Sequence, residues 1–139
     1  MIQGLTGMSR YNLGMPEIEN PYREPLNRAL TQQERDLISW MIEHSFVKDA
    51  SHLLQQVDRL SVVSKCTCGC PTIDFALDGE LVCPKGEQCI SDWDAEVDGM
   101  PVFVMLWRSN DRISTLEVGS YPGTDQPFGL PAIGSILGS

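Results

Sequence analysis

Residues 90–118 read ISDWDAEVDGMPVFVMLWRSNDRISTLEV, and the punctuation of this stretch decides the fold. Three runs rich in β-branched and aromatic residues, 90–97, 102–107 and 113–118, are separated by Asp98-Gly99 and by Ser109-Asn110-Asp111. Asp-Gly suits the positive φ angles of a two-residue hairpin turn, so the runs are expected to pair as an antiparallel meander. In the first run Asp92, Asp94, Glu96 and Asp98 alternate with Trp93, Ala95 and Val97, the pattern of a strand with one wet and one apolar face. The run 102–107 (VFVMLW) has no polar alternation, which predicts a central strand covered on both faces.

The same period continues upstream in Val62-Val63 and in 72–77 (TIDFAL), which ends at a second Asp-Gly pair, Asp78-Gly79. Before Leu60 the period is helical. Thr31 and Glu34 fit a capping box, followed by a stripe of Leu37, Ile38, Met41 and Ile42 with Trp40 at its border and Glu34, Arg35 and Glu43 facing away. A second short helix is expected with Asp49 as N-cap, because Ala50, Leu53, Leu54 and Val57 recur at i, i+3, i+4 and i+7 while Gln55, Gln56 and Asp58 fill the other side. The expected fold is α+β, an N-terminal helical hairpin packed on an antiparallel β-meander of about four to six strands.

Pro16, Pro21 and Pro25 break the first segment, so 1–30 reads as an extended N-terminal arm, 31–118 as a single α+β domain and 119–139 as a Pro/Gly-rich C-terminal tail that wraps it. The chain has 139 residues, about one domain, and 42% hydrophobic residues is ordinary for a globular protein. The first fourteen residues hold no apolar run of signal-peptide type, and nowhere do about 18 apolar residues follow one another. A cytoplasmic protein away from membranes is expected.

Nineteen acidic against ten basic side chains give a formal charge of −9, which opposes contact with phosphate backbones and anionic headgroups. Direct nucleic-acid binding is disfavoured. Residues 61–139 carry eleven of the acids and four of the bases, so the acidity belongs to the sheet half.

Five cysteines, Cys66, Cys68, Cys70, Cys83 and Cys89, fall within 24 residues. An odd number without an export signal argues for free thiols or a metal site rather than a disulfide framework. Zinc takes four tetrahedral ligands, usually from two C-x2–4-C knuckles, and neither group here has that spacing. Cys66 and Cys68 on a straight strand stand about 6.5 Å apart at Cα, so joint ligation needs a bend, which Gly69 and Pro71 could supply. The bland reading is a set of small reduced side chains filling gaps in the sheet; redox or nucleophilic use requires a neighbouring cation or base, of which Lys65 is the one at hand in sequence.

His44 and His52 sit in no ligand or nucleophile motif, and His44 reads as a helix-end residue. Asp92, Asp94, Glu96 and Asp98 do not form a calcium loop, since Val97 stands where the EF-hand glycine belongs and Phe103 where its last acid belongs. They read either as a solvated strand face or as a charged surface for a basic partner. No phosphate-binding glycine loop and no G-x-S-x-G elbow is present.

The succession LTQQER (30–35), VSKCTCGCPTIDF (63–75), DGMPVFVMLW (98–107), RISTLEV (112–118) and GLP (129–131) resembles a small uncharacterised bacterial protein family with a C-x-C-G-C-P segment. The resemblance implies one intact domain, and no activity or catalytic residue. The expected function is non-enzymatic protein binding, as an inhibitor, immunity or regulatory module, with Asp92, Asp94, Glu96 and Asp98 or the apolar tail meeting another protein of basic character. The alternative is a metal-stabilised or thiol-dependent protein built on Cys66, Cys68, Cys70, Cys83 and Cys89, with zinc as the cofactor.

Overall fold

The computed structural model describes residues 20–83, 85–123 and 126–137. Strands β1 (Arg23–Ala29), β2 (Leu60–Cys66), β3 (Ile73–Leu77), β4 (Glu80–Leu81), β5 (Gln88–Val97), β6 (Met100–Ser109) and β7 (Arg112–Ser120) form one antiparallel sheet in the order β1-β2-β3-β7-β6-β5, with β4 paired to the end of β3. The sheet is therefore two three-strand meanders joined at β3 and β7. That seam is narrow: Ile73 opposes Leu116 and Asp74 opposes Thr115. The buried Thr72 hydroxyl extends it, accepting from the Val118 N–H at 2.9 Å and donating to the Val118 carbonyl at 3.0 Å.

Turn chemistry acts as the sequence suggests. Asp78 and Gly79 adopt φ of 53° and 81°, Asp98 and Gly99 52° and 79°, and Asn110 and Asp111 52° and 61°. Asp, Asn and Gly enter this left-handed region at low cost, so each turn closes its hairpin without strain elsewhere.

Helix α1 (Gln32–Glu43) starts at the expected capping box, with Thr31 Oγ1 accepting from Glu34 N and the Glu34 carboxylate accepting from Thr31 N. Its stripe of Leu37, Ile38, Met41 and Ile42 is buried. Glu34 does not face away: it is 5% exposed and takes two hydrogen bonds of 2.8 Å from the Arg28 guanidinium, tying β1 to α1. Burial pushes its pKa up, but the Arg28 and Thr31 donors outweigh that and hold it below 4.5.

The expected helical hairpin does not form. Its second member is a 3-10 helix, Ser51–Arg59, with Ala50 at the cap position and no side-chain cap bond. Asp49 instead accepts from Arg108 at 3.1 Å. The period of three turns Gln56 inward, where its amide donates to Asp111 O at 2.8 Å and accepts from Ile113 N at 3.0 Å, satisfying the β6–β7 turn. The 3-10 helix thus goes together with a buried Gln56 whose amide satisfies two backbone groups of the β6–β7 turn.

The strand count also exceeds the expectation of four to six, because β1 lies within the segment read as an arm and β4 is only two residues long. Pro25 is tolerated because β1 is an edge strand and its register shifts between Pro25 and Arg28. The remainder of the arm, 1–19, lies outside the described residues. At the other edge Leu137 N donates to Asp94 O at 2.8 Å, while Phe128, Leu130 and Ile133 pack against the core. The tail thus wraps the domain and occupies part of the open edge of β5.

One face of the sheet is fully packed. Val62, Phe75, Val102, Val104, Leu106, Leu116 and Val118 are buried there against α1 and the 3-10 helix. Strand β6 alternates after all: Val102, Val104 and Leu106 are inaccessible, whereas Phe103, Met105 and Trp107 are half-buried on the opposite face. The run 102–107 is central in the sheet but helix-covered on one side.

Candidate functional site

The second face can be read from the registers. Phe103 opposes Asp94 and Gly119, Met105 opposes Asp92 and Glu117, and Trp107 opposes Cys89 and Thr115. Across the seam Asp74 stands beside Thr115, and Ser64 beside Asp74. Ser64 reaches this face because the register slips between Val62 and Ser64, which sends Val62 to the core and Ser64 to the other side. The result is an aromatic and thioether stripe along β6 bordered by carboxylates. α1 and the 3-10 helix lie on the opposite side, and among the described residues no helix covers this one.

A cleft of about 470 Å³ opens at the seam, lined by Arg23, Asp74, Glu87, Trp107, Thr115 and Glu117 among others. Its polar groups are held in place. Asp74 accepts from Arg23 Nε at 2.8 Å, from Ser64 Oγ at 2.5 Å and from Thr115 Oγ1 at 2.8 Å. Glu87 accepts from Ser114 Oγ at 2.6 Å, and Glu117 accepts from the Trp107 indole N–H at 3.0 Å. Three carboxylates therefore face one cleft with a single cation, Arg23, among its lining residues. Each is oriented before any ligand arrives, and the lone pairs these donors leave unused can accept from an incoming cation.

Asp92, Asp94 and Glu96 extend the acidity outward along β5, and all are exposed, as is Asp98 at the turn. Tyr121 donates a short hydrogen bond to Asp94 and meets the Phe103 ring edge-on at 5.7 Å between centroids. The Asp94 bond stabilises the neutral phenol, so the Tyr121 pKa is raised. Phe103 in turn lies over Gly119, where a Cβ would collide with the ring.

At the end of this face the chain leaves β2 in a tight turn, 66–70. Cys66 is the last residue of β2, opposite Arg23, and Gly69 adopts φ 99°, supplying the bend that joint ligation requires. The turn is anchored on both sides: Thr67 N donates to Tyr22 O at 3.1 Å, and Gly69 packs on Pro127. The sulfurs of Cys66, Cys68 and Cys70 all lie within 4.8 Å of one another, with Cys66 and Cys68 3.1 Å apart.

Their electrostatics differ. Burial, with the neighbouring thiols, pushes Cys66 up to about 11, whereas donors from Cys66 and the Cys70 N–H hold Cys68 below its ordinary value. Burial works against the Arg23 charge, yet the Asp74 carboxylate and the Cys66 and Cys70 thiols more than restore it and raise its pKa. Arg23 is thus a cation beside the thiols that distance in sequence concealed.

The five-cysteine set divides. Cys83 is exposed near Ser109 and Arg112, and Cys89 lies on the open sheet face, where burial and the carboxylates of Asp92 and Glu117 raise its pKa; neither joins the convergent group. Arg23, Asp74, Glu87, Trp107 and Glu117 were not singled out by sequence reading. The alternation of Asp74 with Ile73 and Phe75, and of Thr115 and Glu117 with Leu116 and Val118, does mark the side chains that share a face. His44, as expected, sits at the helix end, its Nδ1 2.8 Å from Trp40 O and its ring stacked on Trp40. Among the described residues no helix is long and apolar enough to cross a membrane. No family model, curated protein or solved structure matches the chain.

Proposed function

We propose that the protein is a non-enzymatic binding module whose open sheet face receives a basic, arginine- or lysine-rich segment of another protein. The observation that carries this reading is the composition of that face. Asp74, Glu87, Asp92, Asp94, Glu96 and Glu117 surround Phe103, Met105 and Trp107, with Arg23 the one base lining the cleft among the described residues.

Charge complementarity would steer the encounter, and the stripe on β6 would supply the apolar contact that gives a complex residence time. A partner guanidinium over the Trp107 indole with Glu117 and Asp74 at its edges would combine a cation–π contact with charge-assisted hydrogen bonds, the first worth about 0.5–2 kcal/mol. An inhibitor, immunity or regulatory role in the cytoplasm fits such a surface, since each works by occupying a partner rather than transforming it.

The test uses a short arginine-rich peptide and two charge-matched triple variants. Asp92→Asn/Asp94→Asn/Glu117→Gln on the open face is expected to weaken binding about tenfold or more. Asp36→Asn/Glu43→Gln/Asp58→Asn on the helices, with the same change in net charge, is expected to weaken it about twofold or less. Equal losses in both variants would mean that net charge alone attracts the peptide, and the reading would fail.

A further inference from the structure

We propose that Cys66, Cys68 and Cys70 form a three-thiolate site for a single thiophilic d10 cation, zinc(II) or copper(I), at the turn that follows β2. The sulfurs lie within 4.8 Å of one another, and thiolates around zinc, each about 2.3 Å from the metal, stand about 3.8 Å apart. The 3.1 Å between the Cys66 and Cys68 sulfurs and the 4.8 Å bound on the set bracket that distance.

The backbone is already shaped for it. Cys66 N donates to Thr72 O at 3.1 Å across the neck of the turn, Cys70 N points at the Cys68 sulfur at 3.4 Å, and Phe128 N donates to Gly69 O at 3.4 Å. These backbone bonds hold the three cysteines on one turn, as a preorganised set of ligands requires.

Donor type selects the ion class. Three soft sulfurs disfavour magnesium and calcium, which take oxygen, and favour zinc or copper(I). On binding, each thiol releases its proton to solvent and forms one metal–sulfur bond, with no oxidation or reduction. A zinc trithiolate carries one net negative charge, and the nearby Arg23 guanidinium, already paired with Asp74 at 2.8 Å, offsets part of it. Cys68 is exposed, so a fourth coordination position faces water and the ion is exchangeable rather than sealed in.

The experiment uses the full chain, reduced and freed of metal, titrated with cobalt(II) as a spectroscopic probe and then with zinc(II) or copper(I). One ion per chain is expected, with sulfur-to-cobalt charge-transfer absorption. Cys68→Ser keeps an acceptor for the Cys70 N–H, and both it and Cys70→Ser are expected to weaken binding about a hundredfold while melting like wild type. Cys83→Ser and Cys89→Ser are expected to bind unchanged.

On the wild-type chain, zinc is expected to shield Cys66, Cys68 and Cys70 from alkylation and to leave Cys83 reactive, as read by peptide mass spectrometry. Competition between zinc and copper(I) identifies which ion the site prefers. Less than about 0.1 ion per chain, binding that survives Cys68→Ser, or binding that needs Cys83 or Cys89 would each overturn the proposal.

Discussion

The two faces of the sheet are made by the same strands, residue by alternate residue, and they have opposite chemistry. On the packed side β6 presents Val102, Val104 and Leu106, all inaccessible, and the one buried carboxylate among the described residues is Glu34, fully engaged by Arg28 and Thr31. On the open side the same strand presents Phe103, Met105 and Trp107, half-buried and ringed by carboxylates. Large apolar side chains left partly accessible in a charged frame are what binding surfaces have in common, whereas a purely solvated face would need none. The difference teaches that, on the proposed reading, stability and recognition are separable: one face holds the fold together, and the other would be left to be specific.

Substitutions should therefore divide by face, and the largest effect belongs to the packed one. Phe75 is fully buried, and Phe75→Ala is expected to cost about 3–5 kcal/mol in urea unfolding through lost burial and the cavity left behind. A loss under about 1 kcal/mol would mean that this face is not the core.

Glu34 comes next. Because its folded-state pKa lies below 4.5, its contribution is present at neutral pH and disappears as pH falls through that folded value. Glu34→Ala, which removes the Arg28 pair and one arm of the capping box, is expected to cost about 2–3 kcal/mol at pH 7. It should also flatten the acid limb of the stability curve below about pH 4.5, and an unchanged limb would show that the pair is not what acid breaks.

A smaller effect is expected on the open face at Gly119, where any side chain must displace the Phe103 ring. Gly119→Ala should cost about 1–2 kcal/mol and reduce binding of a basic peptide, because it disorders the stripe without touching a charge. Smallest of all, neutralising Asp92, Asp94 and Glu117 together should change stability by about 0.5 kcal/mol or less, since Asp92 and Asp94 are exposed and Glu117→Gln keeps an acceptor for the Trp107 indole N–H. A large destabilisation would show that these carboxylates serve the fold, and would erase the contrast between the faces.

Local chemistry was legible in the sequence wherever it acts between near neighbours. The capping box of Thr31 and Glu34, the stripe of α1, and the three turns at Asp78-Gly79, Asp98-Gly99 and Asn110-Asp111 form as their residues suggest. Long-range satisfaction was not. Gln56 looks like a surface helix residue until the Ile113 N–H and Asp111 carbonyl arrive to claim it, and that pairing is associated with a 3-10 helix instead of an α-helix. Likewise β1 is a strand because β2 offers it partners, with Pro25 acceptable at an edge and nowhere else.

The candidate site was half visible for the same reason. Asp92, Asp94 and Glu96 announce themselves by alternation within one strand, whereas the cleft needs Arg23 from β1, Asp74 from β3 and Glu117 from β7, which only the sheet order brings together. The cysteine set divides along that line too. Cys66, Cys68 and Cys70 share one turn and converge, while Cys83 follows β4 and Cys89 lies on β5, and neither joins them.

The three tryptophans give the most direct measurement, because they report on the two sides separately. Trp107 lies on the open face with its indole N–H on Glu117, whereas Trp40 and Trp93 pack edge-on against each other at 5.1 Å on the helix side. In a nitrogen–proton correlation spectrum titrated with an arginine-rich peptide, the Trp107 indole signal is expected to shift progressively and to saturate, while those of Trp40 and Trp93 stay in place. Shifts at Trp40 and Trp93 with Trp107 unmoved would contradict the assignment of the open sheet face as the binding surface.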